Sequence, residues 1–133
     1  MKLIIPGNPM GKQRPRVTKW GTYTPEKTVE YENWVKTCYM LSNNKDKLEG
    51  AIKAEIKVYM YIPKSTSKKK RQEMLEGKIR PTKKPDVDNI CKIILDSLNK
   101  LAFDDDKQIV DCWIEKWYGE DPRVELVLSE VEK

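Results

Sequence analysis

The chain is 133 residues long, 38% apolar and 35% charged, with four tryptophans and six tyrosines but no histidine. That length suits one domain around one modest core, the aromatic content argues against general disorder, and the missing imidazole excludes histidine as base, nucleophile or ligand. The net charge of +5 hides an asymmetry, because residues 1–85 carry +12 and residues 86–133 carry −7. A basic front half and an acidic back half suit a protein that grips an anion with one part and places a cation with the other.

Lys2 to Pro6 reads as a short strand stopped by Pro6-Gly7. Residues 7–24 read as a loop or loose hairpin carrying Lys12, Arg14, Arg16 and Lys19 with no acidic residue. Trp20 and Tyr23 lie beside those cations, where they can stack on an unpaired base; local packing is the plainer expectation. Thr24-Pro25-Glu26 opens a helix, with Thr24 as N-cap and Pro25 in the first turn. Val29, Trp34, Val35, Cys38 and Leu41 give it a roughly helical apolar spacing. From Ala51 to Ile62 apolar and polar residues alternate, predicting a half-buried strand ended by Pro63.

Residues 64–84 hold nine Lys and Arg against Glu73 and Glu76. Within them Ser67 caps a predicted short helix from Lys68 to about Glu76, with Gly77 as its stop. Val87, Ile90, Ile93, Ile94, Leu98 and Leu101 mark a further helix from Asp88 to about Ala102, its apolar stripe facing a sheet. Lys107 to Tyr118 and Arg123 to Val131 read as two strands of an antiparallel hairpin joined through Gly119-Glu120-Asp121-Pro122. The order of elements predicts a single α+β domain over residues 1–133, with a small mixed or antiparallel sheet and helices packed on one face.

No run approaches the ~20 apolar residues a membrane helix needs, and the N-terminus has no signal-peptide core. A cytoplasmic location without a membrane partner is therefore expected. Cys38, Cys91 and Cys112 have no zinc spacing and are read as reduced, buried thiols.

Five aspartates flank the Asp88–Ala102 helix. Asp86 and Asp88 are two apart in a stretch that Pro85 holds extended, so both carboxylates point to one side and can converge on one hard divalent ion. Asp88 is also a natural N-cap. Asp104, Asp105 and Asp106 lie past a helix roughly 20 Å long, and only the following strand, running antiparallel to that helix, can bring them back. Plain turn, cap and loop roles stay open for both clusters. The EF-hand pattern is missing. Lys92 lies four residues after Asp88 on the same helical face, placed for a surface ion pair or for stabilising charge on a phosphate.

The stretch KPDVDNICKIILDSLNKLAFDDDKQIVD, residues 84–111, resembles the signature of the RusA family of Holliday junction resolvases. Its elements are a D-x-D-N opening (Asp86, Asp88, Asn89), Lys92, a D-x-L (Asp96, Leu98) and a D-D-x-Q-[IV]-V-D block (Asp105, Asp106, Gln108, Asp111). The N-terminal GNPMGKQRPR and TYTPEKTVEYE are similar to phage and Gram-positive members, so a bacterial or phage-encoded protein is expected. The resemblance implies a homodimeric, Mg²⁺-dependent endonuclease, with Mn²⁺ as a substitute, that cuts four-way DNA junctions by paired symmetric nicks in recombination and repair. It implies metal ligands at Asp86, Asp88 and Asp106, with Asp105 in support, and a catalytic lysine at Lys92. The loop before Asp105 is one residue shorter than in the bacterial form, but the Gln108–Asp111 anchor favours Asp106 as the ligand. Expected phosphate contacts are Lys12, Arg14, Arg16, Lys68, Lys69, Lys70, Arg71, Lys83 and Lys84. Two alternatives remain: a non-catalytic, structure-selective nucleic-acid-binding module, and a metal-dependent nuclease of flaps or forks.

Overall fold

The computed structural model describes residues 1–44 and 46–131. Strand β1 (Lys2–Pro6) is followed by a small hairpin of β2 (Arg16–Thr18) and β3 (Gly21–Tyr23), then helix α1 (Glu26–Leu41) and strand β4 (Ile52–Met60). Helices α2 (Lys68–Leu75) and α3 (Val87–Leu98) come next, then a 3₁₀ turn (Asp106–Gln108) and strands β5 (Ile109–Tyr118) and β6 (Arg123–Glu130). The main sheet has the order β1-β6-β4-β5. β6 pairs antiparallel with both β1 and β4, while β4 and β5 run parallel. This is the α+β domain with a mixed sheet that the pattern of elements implies.

Alternation builds the core. Ile52, Ala54, Ile56, Val58 and Met60 all face inward from β4, with Leu3 and Ile5 from β1 and Val124, Leu126 and Leu128 from β6. Ile90, Ile93, Ile94 and Leu98, recurring at helical spacing on α3, close over them. α1 packs on α3 and β1, and α3 on β5. α2 buries none of its residues. Ser67 accepts a hydrogen bond from the Lys70 N–H at 3.3 Å, and Gly77 stops the segment at φ +80°, as expected.

Several expectations are corrected. β5 and β6 are not a paired hairpin: β4 lies between them. The chain crosses the end of β4 at the buried Gly119, whose N–H donates to the Met60 carbonyl at 3.0 Å. A Cβ there would meet Tyr59 at 3.2 Å. α1 is capped by Pro25 rather than Thr24. It buries Thr28, Tyr31, Val35 and Tyr39, leaving Val29, Trp34 and Leu41 exposed, because Tyr31, Val35 and Tyr39, each four apart, form the row that enters the core. α3 begins one residue earlier, with Asp86 as N-cap and Asp88 in the first turn, and ends at Leu98. Of the cysteines, Cys38 and Cys91 are half-buried and Cys112 is exposed, since β5 is an edge strand. Trp20 and Tyr23 do not pack locally and stand exposed.

Candidate active site

The acidic residues distribute along α3 and the turn that enters β5. Asp86 adopts extended backbone at the N-cap, yet its carboxylate makes no capping hydrogen bond. Asp88, Lys92 and Asp96 follow at intervals of four on one helical stripe. Lys92 is exposed and enters none of the ion pairs among the described residues. β5 runs antiparallel to α3 along this stripe. Cys91 Sγ meets Cys112 Sγ at 2.7 Å, and Asp106 lies near enough to Asp96 to feel its charge. Asp106 therefore stands beside the C-terminal part of α3, apart from Asp86 and Asp88; it is the following strand that runs back along the helix, bringing Cys112 to Cys91. Ten residues separate Asp86 from Asp96, roughly 15 Å along the axis. Among the described residues no three Asp, Glu or Cys side chains converge closely enough to hold a metal ion.

The three consecutive aspartates have different roles. Asp104 forms an exposed ion pair with Lys47 at 3.0 Å. Asp105 caps the 3₁₀ turn, accepting from the Lys107 N–H at 2.9 Å, and this hydrogen bond holds its carboxyl below the usual range. Asp106 moves the other way: partial desolvation, then the neighbouring charges of Asp105 and Asp96, push its carboxyl up. Gln108 fixes the loop. Its Oε1 accepts from the Asp104 and Asp105 N–H groups, both at 3.0 Å, and its Nε2 donates to the Gly50 carbonyl at 3.0 Å. The sequence marked Gln108 only as a motif letter, and its role appears once the 48–50 segment lies beside it. At ~1 kcal/mol net for each bond, Gln108→Ala should cost about 1–3 kcal/mol, read as a lower urea midpoint with unchanged slope.

The N-terminal segment is clamped onto the start of α3. The Lys12 N–H donates to the Asn89 carbonyl at 2.9 Å, and a Cβ on Gly11 would lie 2.9 Å from Pro85 Cβ and 3.0 Å from Asn89 Cβ. The Lys12 ammonium binds Glu32 at 2.8 Å and Asp96 at 3.4 Å, and these carboxylates hold its pKa up against the opposing effect of burial. Lys12 is thus engaged as a brace. Arg14, Arg16, Lys68, Lys69, Lys70 and Lys84 are exposed. Arg71 reaches Glu120 at 3.7 Å, and Lys83 lies 4.6 Å from the Tyr61 ring centre. Trp113 and Trp117 occupy the sheet face away from α1 and α3, under Lys53 at 4.1 Å and Arg80 at 3.5 Å respectively, with Gly77 at the end of α2 against Trp117.

This arrangement of a D-x-D-N helix start, a stripe lysine and a capped D-D-x-Q turn entering a parallel edge strand has a match among known proteins. A family model described as "Endodeoxyribonuclease RusA" matches residues 6–129. The chain belongs to the RusA endodeoxyribonuclease family. It is similar to the uncharacterized protein YqaN of Bacillus subtilis (strain 168), with 36% identity over 137 residues, covering 98% of this chain and 96% of that protein. RusA membership makes the chain a structure-specific endonuclease of the junction-resolving class, with branched DNA as its substrate. No helix among the described residues is long and apolar enough to cross a membrane.

The thiol pair between α3 and β5 is unequal. A hydrogen bond from Cys91 brings the Cys112 thiol down to about 7, while that same bond and burial push Cys91 up. Iodoacetamide, titrated between about pH 6 and 9, should therefore modify Cys112 before Cys38 or Cys91, its rate rising through pH 7 as the thiolate forms. Cys91→Ala removes the donor and should move that midpoint toward ~8.5, read by peptide mass spectrometry.

Proposed function

We propose that the chain resolves four-way DNA junctions as a homodimer, by paired symmetric nicks that depend on Mg²⁺, with Mn²⁺ as a substitute. One arrangement carries the proposal: Asp88, Lys92 and Asp96 form a single stripe on α3, Asp106 faces its far end, and exposed cations lie on the flanking segments. The donors are all carboxylate oxygens, the chemistry a hard cation prefers. Mg²⁺ is held through one or two carboxylates with substrate phosphates and water completing its shell, so it does not require three protein ligands at one point. Asp86 and Asp88 would hold it at the helix start, with Asp106, beside Asp96 at the far end of the stripe, as a separate carboxylate toward the phosphate. Asp105, committed to the 3₁₀ cap, would orient Asp106. When bound, Mg²⁺ supplies Lewis acidity at the phosphate and lowers the pKa of water.

Lys92 supplies a fixed positive charge midway along the stripe, next to the phosphate that Asp88 and Asp106 would flank. An ammonium there stabilises the charge that develops in the transition state. Lys92→Ala should slow cutting by about 10²-fold while junction affinity changes only a few-fold; single-turnover rates measured beside binding in EDTA check it. Arg14, Arg16, Lys68, Lys69, Lys70 and Lys84 would grip backbone phosphates, making affinity fall with salt.

A four-way junction has two-fold character, and a symmetric dimer would set two sites on opposed strands. The exposed Val110 and Trp113 on edge strand β5 support a surface for such pairing. The deciding experiment incubates the chain with end-labelled four-way junction, a flap and linear duplex, in Mg²⁺ or EDTA. Paired nicks at symmetric positions on the junction alone are expected. Junction binding without Mg²⁺-dependent cutting would overturn the catalytic part, and equal cutting of the flap would overturn the substrate part.

A further inference from the structure

The β2–β3 hairpin stands outside the domain's packing. All six of its strand residues are exposed. Trp20 sits in the turn at 87% exposure, and Val17 and Tyr23 are also open. Large apolar side chains held this far into water need an account. The turn is nevertheless well built. Thr18 Oγ1 donates to the Gly21 carbonyl at 3.1 Å and accepts from the Trp20 N–H at 3.2 Å. Gly21 lies at φ +128°, where a side chain is strained. Trp20 is thus carried on a defined turn, with the Lys19 ammonium 5.1 Å from its ring centre.

The hairpin's root lies at the candidate active site. Gly11 and Lys12 are fastened to Pro85 and Asn89 beside Asp86 and Asp88, and the Gln13 N–H donates to Thr28 Oγ1 of α1 at 3.4 Å. Arg14 and Arg16 lead from that root into the hairpin, and Arg16 pairs directly opposite Tyr23. Residues 7–24 contain no acidic side chain. A cationic arm with an aromatic tip, rooted beside Asp86 and Asp88, matches one ligand chemistry: a phosphate backbone carrying a base that has left its stack. Duplex arms hide their bases from an aromatic face. The branch point of a junction is where continuous stacking is interrupted.

We propose that Trp20 stacks on an unstacked base at the branch point and makes the hairpin the element that distinguishes branched from linear DNA. This rests on the nuclease function proposed above and adds its specificity-determining residue. Stacking one base on an aromatic ring is worth roughly tenfold to a hundredfold in affinity.

The test measures binding of the full chain in EDTA, without chemistry, to a four-way junction and to linear duplex of equal length. Trp20→Ala should weaken junction binding roughly tenfold or more and duplex binding less than about twofold, and Trp20→Phe should restore most of the loss. With 2-aminopurine at the branch point, wild type and Trp20→Phe should change its emission and Trp20→Ala should not. Unchanged junction binding by Trp20→Ala, equal losses on junction and duplex, or an unchanged 2-aminopurine response would each overturn the proposal. Because no step depends on cutting, a Trp20-dependent junction preference in a chain that fails to nick would reject the nuclease reaction and leave the hairpin's role standing.

Discussion

Asp88→Asn should reduce junction cutting by about 10³-fold or more, because a carboxylate ligand that positions a catalytic cation contributes several kcal/mol to charge stabilisation in the transition state. The substitution keeps the shape of the side chain and removes its charge. Asp88 is exposed in the first turn of α3, where a negative charge favours the helix by only about 0.3–1 kcal/mol, so the fold should survive with a small fall in melting temperature. Junction affinity in EDTA should hold or tighten, since a negative charge beside backbone phosphate is gone. Cutting near the wild-type rate would remove Asp88 from the proposed ligands. Loss of cutting together with loss of binding would show that the substitution had damaged the DNA-binding surface rather than the chemistry. Asp105→Asn is the informative contrast: amide oxygen can still accept from the Lys107 N–H, so the 3₁₀ cap should persist and cutting should fall far less.

Local signals in this chain are reliable where one residue's chemistry decides the structure. The alternation from Ile52 to Met60 places every second side chain in the core, and the Ser67 cap and Gly77 stop bound α2 as their side chains require. Partner choice is different. The alternation in β5 and β6 says which face each strand buries but not which neighbour it pairs with, and β4 intervenes between them through a parallel contact that no short-range signal encodes. In α1 the apolar spacing was misleading because Tyr31, Val35 and Tyr39, each four apart, form the row that enters the core. The D-x-D-N and D-D-x-Q elements were legible as motifs, yet the division of labour among Asp104, Asp105 and Asp106 depends on Lys47, Lys107 and Gln108 reaching them in three dimensions. Trp20 could be read as core or as ligand-facing, and only the absence of surrounding elements separates those roles.

Phe103→Ala should destabilise the domain by about 3–5 kcal/mol, the range for truncating a buried aromatic ring that leaves a cavity. Phe103 is the chain's only phenylalanine, fully buried within the main hydrophobic cluster. Its backbone bridges to Leu48 and to Asn99, so its ring anchors the turn that leaves α3 and enters the acidic loop. Domains of this size are stable by about 5–15 kcal/mol, so this one truncation removes a large share, and the urea midpoint should fall accordingly. Phe103→Leu keeps the apolar character and loses less volume, and should cost under about 2 kcal/mol. The pair separates two effects. If the ring's role is only to fill volume, both variants should cut at nearly wild-type rates at a temperature where each is folded. If its packing also sets the position of Asp106, three residues on, Phe103→Ala should cut more slowly than Phe103→Leu even when both are fully folded, with Arg14, Arg16 and the basic arm still binding the junction as before. A Phe103→Ala protein as stable as wild type would mean that the loop collapses to refill the site, and Asp106 would then be expected to lose its proximity to Asp96, with its carboxyl returning toward the ordinary value.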